Sequence, residues 1–189
     1  MVFNNLTPLN LEIDKRWTLF LDRDGVINQK IENDYVKIWS EFLFLSGALE
    51  AISNLSNIFG RIIIVTNQRG VGRGFMKEED LIFIRNNMIK EIELNSWRID
   101  KIYYCTEVSK FSFCRKPNPG MGMQALLEFS DIDFHKSVIV GDSISDLEFG
   151  KNLNMKKMYI GKSFEEFEID GIFPSLLEFS SQLIVNFKI

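Results

Sequence analysis

The chain alternates between two hydrophobic rhythms. Short unbroken apolar runs, WTLFL at 17–21, RIIIVTN at 61–67 and SVIVGD at 137–142, predict strands buried on both faces. Between them lie stretches with helical spacing. SGALEAISNLSNIF (46–59) has apolar residues at 48, 49, 52, 55, 58 and 59, and KEEDLIFIRNNMIKEIEL (77–94) opens with acids in its first turn. KIYYC (101–105) and KKMYIG (156–161) read as further strands. PGMGMQALLEFS (119–130) and SDLEFGKNL (145–153) read as helices. GIFPSLLEFSSQLIV (171–185) reads as a strand fragment and then a helix that Pro174 and Ser175 can start.

Strand following helix following strand implies crossover units. The prediction is an α/β fold, a doubly wound three-layer parallel sheet with helices on both faces. No repeat, low-complexity tract or linker interrupts it, so residues 1–189 are expected to form one domain, with 1–15 as an N-terminal extension.

Composition narrows the partners. A formal net charge of −4 argues against nucleic acid or an anionic membrane surface. No apolar run approaches the ~20 residues of a membrane span, and the first 17 residues lack the pattern of a secretory signal. Two cysteines, Cys105 and Cys114, make no disulfide framework. The expectation is a cytoplasmic protein with reduced thiols. The oligomeric state is left open, with a monomer favoured.

Ligands of open parallel sheets bind beyond the carboxyl ends of the strands. Asp22 and Asp24 stand where WTLFL ends, Thr66 and Asn67 where RIIIV ends, and Asp142 where SVIVGD ends. If these strands are neighbours, three carboxylates converge on one rim. Crowded carboxylates repel, and Mg²⁺, which prefers oxygen ligands together with phosphate, relieves that repulsion. A metal-bound aspartate can attack phosphorus, and a second carboxylate two residues on can act as general acid and then base. Lys116, in CRKPNPG, can offset charge on the pentacoordinate phosphorus. Arg69 and Arg73 lie on the loop leaving the second strand, where planar guanidiniums suit phosphate oxygens.

DRDGVI, TNQ, CRKPNPGM and GDSISD, in that order, resemble the four motifs of the haloacid dehalogenase superfamily. VTNQRGVGRG and IYYC add a resemblance to its small phosphatases of D-glycero-D-manno-heptose 1,7-bisphosphate, with histidinol-phosphate phosphatases as relatives. The resemblance covers residues 17–160. It implies a Rossmann-like fold, Mg²⁺ as cofactor and a small phosphorylated sugar as substrate, cleaved at the 7-phosphate through an aspartyl-phosphate. It further implies Asp22 as nucleophile and metal ligand. Asp24 would be general acid/base and bind the metal through its main-chain carbonyl, and Asp142 would complete the metal site. Thr66 would hold the phosphoryl group and Lys116 bridge it to the nucleophile. Substrate contacts would come from Arg23, Asn67, Gln68, Arg69, Arg73 and Arg115.

Two departures from the family pattern stand out. Relatives commonly carry a zinc loop of three cysteines and one histidine before CRKP. Here Glu107 stands at the histidine position and Ser112 at a cysteine position, so no structural zinc is expected. Ser143 stands where relatives often have lysine.

Asp24 and Thr66 are 42 positions apart and Thr66 and Lys116 are 50 apart, too few for a large cap beside the elements they must hold. Loops 28–40 and 68–75 are left to set selectivity. RGVGRG (69–74) also reads as a plain glycine turn, and His135, the only histidine, as a structural or surface residue. Other readings of the same motifs are a histidinol-phosphate phosphatase, a phosphotransferase or mutase, which needs closure against water, a polynucleotide 3′-phosphatase, and a non-catalytic phosphosugar-binding module.

Overall fold

The computed structural model describes residues 11–94, 97–163 and 168–187. The expected extension lies mostly outside these residues. Its last part packs: Ile13 is buried, and the Lys15 ammonium donates to the carbonyls of Ser56 and Phe59 at the end of the first helix.

In chain order the elements are β1 (Thr18–Leu21), α1 (Ala48–Ile58), β2 (Arg61–Asn67), α2 (Arg69–Gly72), α3 (Glu78–Leu94) and β3 (Lys101–Cys105). They continue with α4 (Gly120–Glu128), β4 (Ser137–Gly141), α5 (Ile144–Asn152), β5 (Lys156–Ile160), β6 (Gly171–Phe173) and α6 (Leu176–Phe187). The six strands form one parallel sheet in the order β3-β2-β1-β4-β5-β6. The doubly wound three-layer fold expected from the sequence is the fold observed. The glycine-rich 69–74 segment differs from a plain turn: its first four residues form the short helix α2.

The unbroken apolar runs are explained by the sheet having two covered faces. Strand side chains alternate. Leu19, Leu21, Ile62, Ile64, Val138 and Val140 point into one core, with Ile52 and Leu55 of α1, Ile84 and Met88 of α3, and Phe179 and Leu183 of α6. Phe20, Ile63, Val65 and Ile139 point into the other, against Met121 and Ala125 of α4 and Phe149 of α5. Both faces of the central strands are therefore buried, and each such aliphatic side chain contributes roughly 1.5–3 kcal/mol. Truncating Ile139, fully buried between β1 and β5, should cost about 2–5 kcal/mol.

The winding reverses between β1 and β4, the position where such sheets open a crevice at their carboxyl ends.

Candidate active site

The register puts Leu21 of β1 opposite Val140 of β4, so the chain leaves both strands side by side. The Asp22 amide donates to the Val140 carbonyl at 2.9 Å, which pins the first residue past β1. The chain then turns through Gly25, whose φ is +90°. A Cβ there would lie 2.1 Å from Asp142 Oδ2, so only glycine serves both the left-handed backbone and the approach of Asp142.

Asp22, Asp142 and Asp146 each bring a carboxylate oxygen within 4.8 Å of the others. Asp142 Oδ1 is buried with no hydrogen-bond partner among the described residues. Three converging hard oxygen donors, one of them unpartnered, fit a small divalent cation such as Mg²⁺.

The charge balance shows the strain. Burial pushes the Asp22 carboxyl up to about 7, with Asp146 and Asp142 adding to the rise and Lys116 opposing it. Burial also pushes Asp142 up, against the Lys30 ammonium 2.8 Å away. Lys116 is buried, with its Nζ 2.9 Å from Asp22 Oδ1, 2.5 Å from Asp146 Oδ1 and 2.6 Å from the Val65 carbonyl. Burial alone would lower its pKa; Asp146 and Asp22 outweigh that and raise it.

Asn67, at the end of β2, fixes the backbone that carries this lysine. Its Nδ2 donates to the Lys116 carbonyl at 3.1 Å and its Oδ1 accepts from the Lys116 amide at 3.0 Å. Asn67 also lines the cavity.

Asp24 faces another way. Its carboxylate accepts from the buried Arg23 guanidinium at 2.8 and 2.9 Å, from Asn28 Nδ2 at 2.9 Å and from Gln68 Nε2 at 2.8 Å. Burial would raise its pKa, but Arg23 first, then its other donors, hold it below the usual carboxylate range. Gln68 also donates to Thr66 Oγ1 at 2.8 Å. Arg23 and Gln68 thus hold Asp24, and Gln68 is absent from the cavity lining.

The cavity over this cluster has a volume of about 420 Å³. Asp22, Asp24, Thr66 and Lys116 line its floor, and Arg69, Arg73, Arg115 and Tyr35 line it as well. Burial first, and then Arg69 and Arg73, lower the pKa of Arg115, which marks three guanidiniums held close together. None of the three forms an ion pair with a carboxylate among the described residues. Asp34, the acidic residue of the facing loop that also lines the cavity, is paired with Lys37 at 2.7 Å.

One correction to the sequence reading follows. Cys105 and Cys114 were expected as reduced thiols; they are joined by a disulfide. The physical reason is proximity. β3 ends at Cys105, and the loop returning toward α4 brings Cys114 to a Cα separation of 5.6 Å, within bonding range. The acidic cluster also includes a residue the sequence reading did not single out: Asp146 joins Asp22 and Asp142. Asp146 stands in the quoted GDSISD four residues after Asp142, so the signal was present. Its spacing is that of one helical turn, and it accepts from the Ser143 amide at 3.1 Å at the start of α5. Asn28, buried against Asp24, and Tyr35 were also not anticipated.

Comparison with known proteins extends this picture. The family model described as HAD-hydrolase-like matches residues 113–166. A D-glycero-alpha-D-manno-heptose-1,7-bisphosphate 7-phosphatase of Mycobacterium bovis is 37% identical over 171 residues, covering 87% of this chain and 90% of the relative. A D-glycero-beta-D-manno-heptose-1,7-bisphosphate 7-phosphatase of Pasteurella multocida is 34% identical over 160 residues, covering 81% and 85%. Among solved structures, a D,D-heptose 1,7-bisphosphate phosphatase from B. bronchiseptica, crystallised with magnesium and phosphate, superposes with a TM-score of 0.78. It is 26% identical, with 90% of this chain and 99% of that one covered.

Proposed function

The chain belongs to the haloacid dehalogenase-like phosphatases, and we propose that within them it removes the 7-phosphate of D-glycero-D-manno-heptose 1,7-bisphosphate. One observation carries the substrate reading: the cavity holds two separate cationic regions. Lys116 sits among carboxylates on the floor, where a phosphoryl group reacts. Arg69, Arg73 and Arg115 line the same cavity without carboxylate partners among the described residues, suited to a second phosphate.

In this reading Asp22 attacks phosphorus and carries the phosphoryl group as an aspartyl-phosphate. Lys116, 2.9 Å from Asp22, orients that carboxylate and faces the developing charge. Asp22, Asp142 and Asp146, with the main-chain carbonyl of Asp24, would hold Mg²⁺, which when bound supplies positive charge to the carboxylates and phosphoryl oxygens. Asp24 protonates the leaving oxygen and then takes a proton from the water that opens the aspartyl-phosphate. Arg23, Asn28 and Gln68 favour the ionised Asp24 that the second step requires; for the first step Asp24 takes up a proton from solvent and passes that proton to the leaving oxygen. Thr66 contacts the phosphoryl group, while Asn67, Gln68 and Arg23 act through Lys116 and Asp24.

A phosphomonoester with a cationic tail, such as histidinol phosphate, is disfavoured by the three arginines, which have no carboxylate partner among the described residues, and by the pairing of Asp34 with Lys37. The test compares kcat/KM on both anomers of heptose 1,7-bisphosphate, on heptose 7-phosphate and on histidinol phosphate, in wild type and Arg115→Ala. The expected result is preference for a bisphosphate that Arg115→Ala removes. Preference for histidinol phosphate, or a bisphosphate efficiency unchanged in Arg115→Ala, would overturn the substrate and leave the phosphatase.

A further inference from the structure

Tyr35 belongs to neither the acid cluster nor the arginines, yet it touches the segment that carries the arginines at three points. Its ring lies on the bare backbone of Gly70 in α2, where a Cβ would come within 2.9 Å of Tyr35 Cγ. The same ring stacks on Phe75, with centroids 5.9 Å apart and planes inclined by 28°. Its hydroxyl oxygen accepts a hydrogen bond from Arg73 Nη1 at 3.1 Å. The adjacent Val36 is buried in the core, so the loop is anchored directly beside the tyrosine.

These contacts have a consequence for Arg73. Arg73 is exposed and follows a four-residue helix, a setting in which a long side chain samples many rotamers. The phenol restricts that freedom, and the guanidinium's other donors remain unspent among the described residues. Phe75 is 59% exposed, and its ring finds its partner in Tyr35. An aromatic pair with one ring lining a polar cavity and its one hydroxyl given to an arginine of that lining is an arrangement for aiming that arginine.

We propose that Tyr35 is a specificity-determining positioning residue: its ring, seated on Gly70 and Phe75, and its hydroxyl, bonded to Arg73, aim the Arg73 guanidinium at the substrate's second phosphate. This rests on the bisphosphate reading above. Tyr35 does not act on the phosphate that is transferred, so its influence falls on recognition and spares the chemistry.

The experiment uses Tyr35→Phe, which keeps the ring and its packing and removes only the hydroxyl. On heptose 1,7-bisphosphate KM should rise about tenfold, the order of one charge-assisted hydrogen bond, with kcat within about twofold of wild type. On heptose 7-phosphate and p-nitrophenyl phosphate both constants should stay unchanged. In an Arg73→Ala background, Tyr35→Phe should add nothing further. Phe75→Leu, which removes an exposed ring and does not endanger the fold, should produce the same bisphosphate-selective loss. A loss of equal size on all substrates would mark a merely structural role and overturn the proposal. So would a bisphosphate KM unchanged in Tyr35→Phe, or a full effect persisting without Arg73. If the wild type does not prefer the bisphosphate to heptose 7-phosphate, the substrate reading itself has failed. If the wild type prefers it and Tyr35→Phe keeps that preference, only the role of Tyr35 has.

Discussion

Asn67 grips the backbone of Lys116 at both polar groups, accepting from its amide at 3.0 Å and donating to its carbonyl at 3.1 Å. The pair joins the end of β2 to a loop 49 residues later in the chain, and it sets where the buried ammonium stands. Replacing Asn67 with alanine leaves the Lys116 backbone groups without these partners, at a cost of about 1–3 kcal/mol. Lys116 then loses its aim at Asp22. The expected result is a kcat lowered by about 10–100-fold on every phosphate substrate, with KM little changed. Steady-state kinetics beside a thermal melt check it; a variant with wild-type kcat would mean Lys116 is held by its carboxylates alone.

Asp22→Asn is expected to abolish turnover while the fold persists. The amide is nearly isosteric and can still approach Lys116 through its oxygen, but it cannot attack phosphorus. Retained activity within about tenfold of wild type, a barrier change of only ~1.4 kcal/mol, would remove Asp22 from the role of nucleophile. Trapping of a phosphorylated wild-type enzyme, and its absence in the variant, is the direct measurement.

What the sequence revealed and what it hid divide along physical lines. The strands were legible because a doubly covered parallel sheet demands consecutive apolar residues, and RIIIV and SVIV meet that demand without interruption. Asp22, Asp24 and Asp142 were legible because they stand immediately after such runs. Asp146 was hidden by its position in the first turn of a helix, where an acid also reads as a residue favoured by the helix dipole. Tyr35 was hidden for a different reason. Its contacts with Gly70, Arg73 and Phe75 join segments far apart in the chain, and no local pattern encodes them. Asn67 and Gln68 were read as substrate contacts; their partners, the Lys116 backbone and the Asp24 carboxylate, appear only once the strands are side by side.

The cysteines give a sharp chemical test. With Cys105 bonded to Cys114, protein unfolded without reductant should expose no thiol to a colorimetric thiol reagent, and two after reduction. Reduction removes a cross-link closing a loop of about ten residues and should lower stability by about 2–3 kcal/mol. Disulfide sulfurs are not thiolates, and with Glu107 and Ser112 at the two other positions of the family's loop, elemental analysis should find no stoichiometric zinc. One zinc per chain, or two reactive thiols before reduction, would refute the bonded state.

Alkaline pH should weaken the α4 face of the sheet through Tyr103. Burial first, and then its hydrogen bond to Glu128 at 2.8 Å, raise the Tyr103 pKa in the folded protein above its ordinary value near 10. The folded state therefore favours the neutral phenol. That contribution is fully present below pH ~10 and is lost as pH rises from there through the higher folded value. Tyr103→Phe, which cannot ionise, should flatten the decline of stability above pH ~10 and leave the acid side alone. Parallel alkaline limbs in denaturant titrations of the two proteins would assign the decline to other groups.

Asp146→Asn separates the two things this carboxylate does. It attracts Lys116 at 2.5 Å and repels Asp22 and Asp142, whose nearest oxygens lie within 4.8 Å. With an effective dielectric constant near 20, the attraction is about 7 kcal/mol and each repulsion at that outer distance about 3 kcal/mol or more. Above pH ~7, with all three carboxylates ionised, two repulsions offset one attraction. Without a divalent cation, removing the charge should therefore change stability little, and the amide oxygen that replaces the carboxylate can still accept from the Ser143 amide. With Mg²⁺ the balance changes, because all three carboxylates then face a positive charge and the lost anion counts in full. Melting temperature in chelator should match wild type within about 2 °C, while the rise on adding Mg²⁺ should shrink markedly. An equal Mg²⁺-dependent rise in both proteins would remove Asp146 from the metal site. A large loss in chelator would show that Asp146 serves mainly to neutralise Lys116.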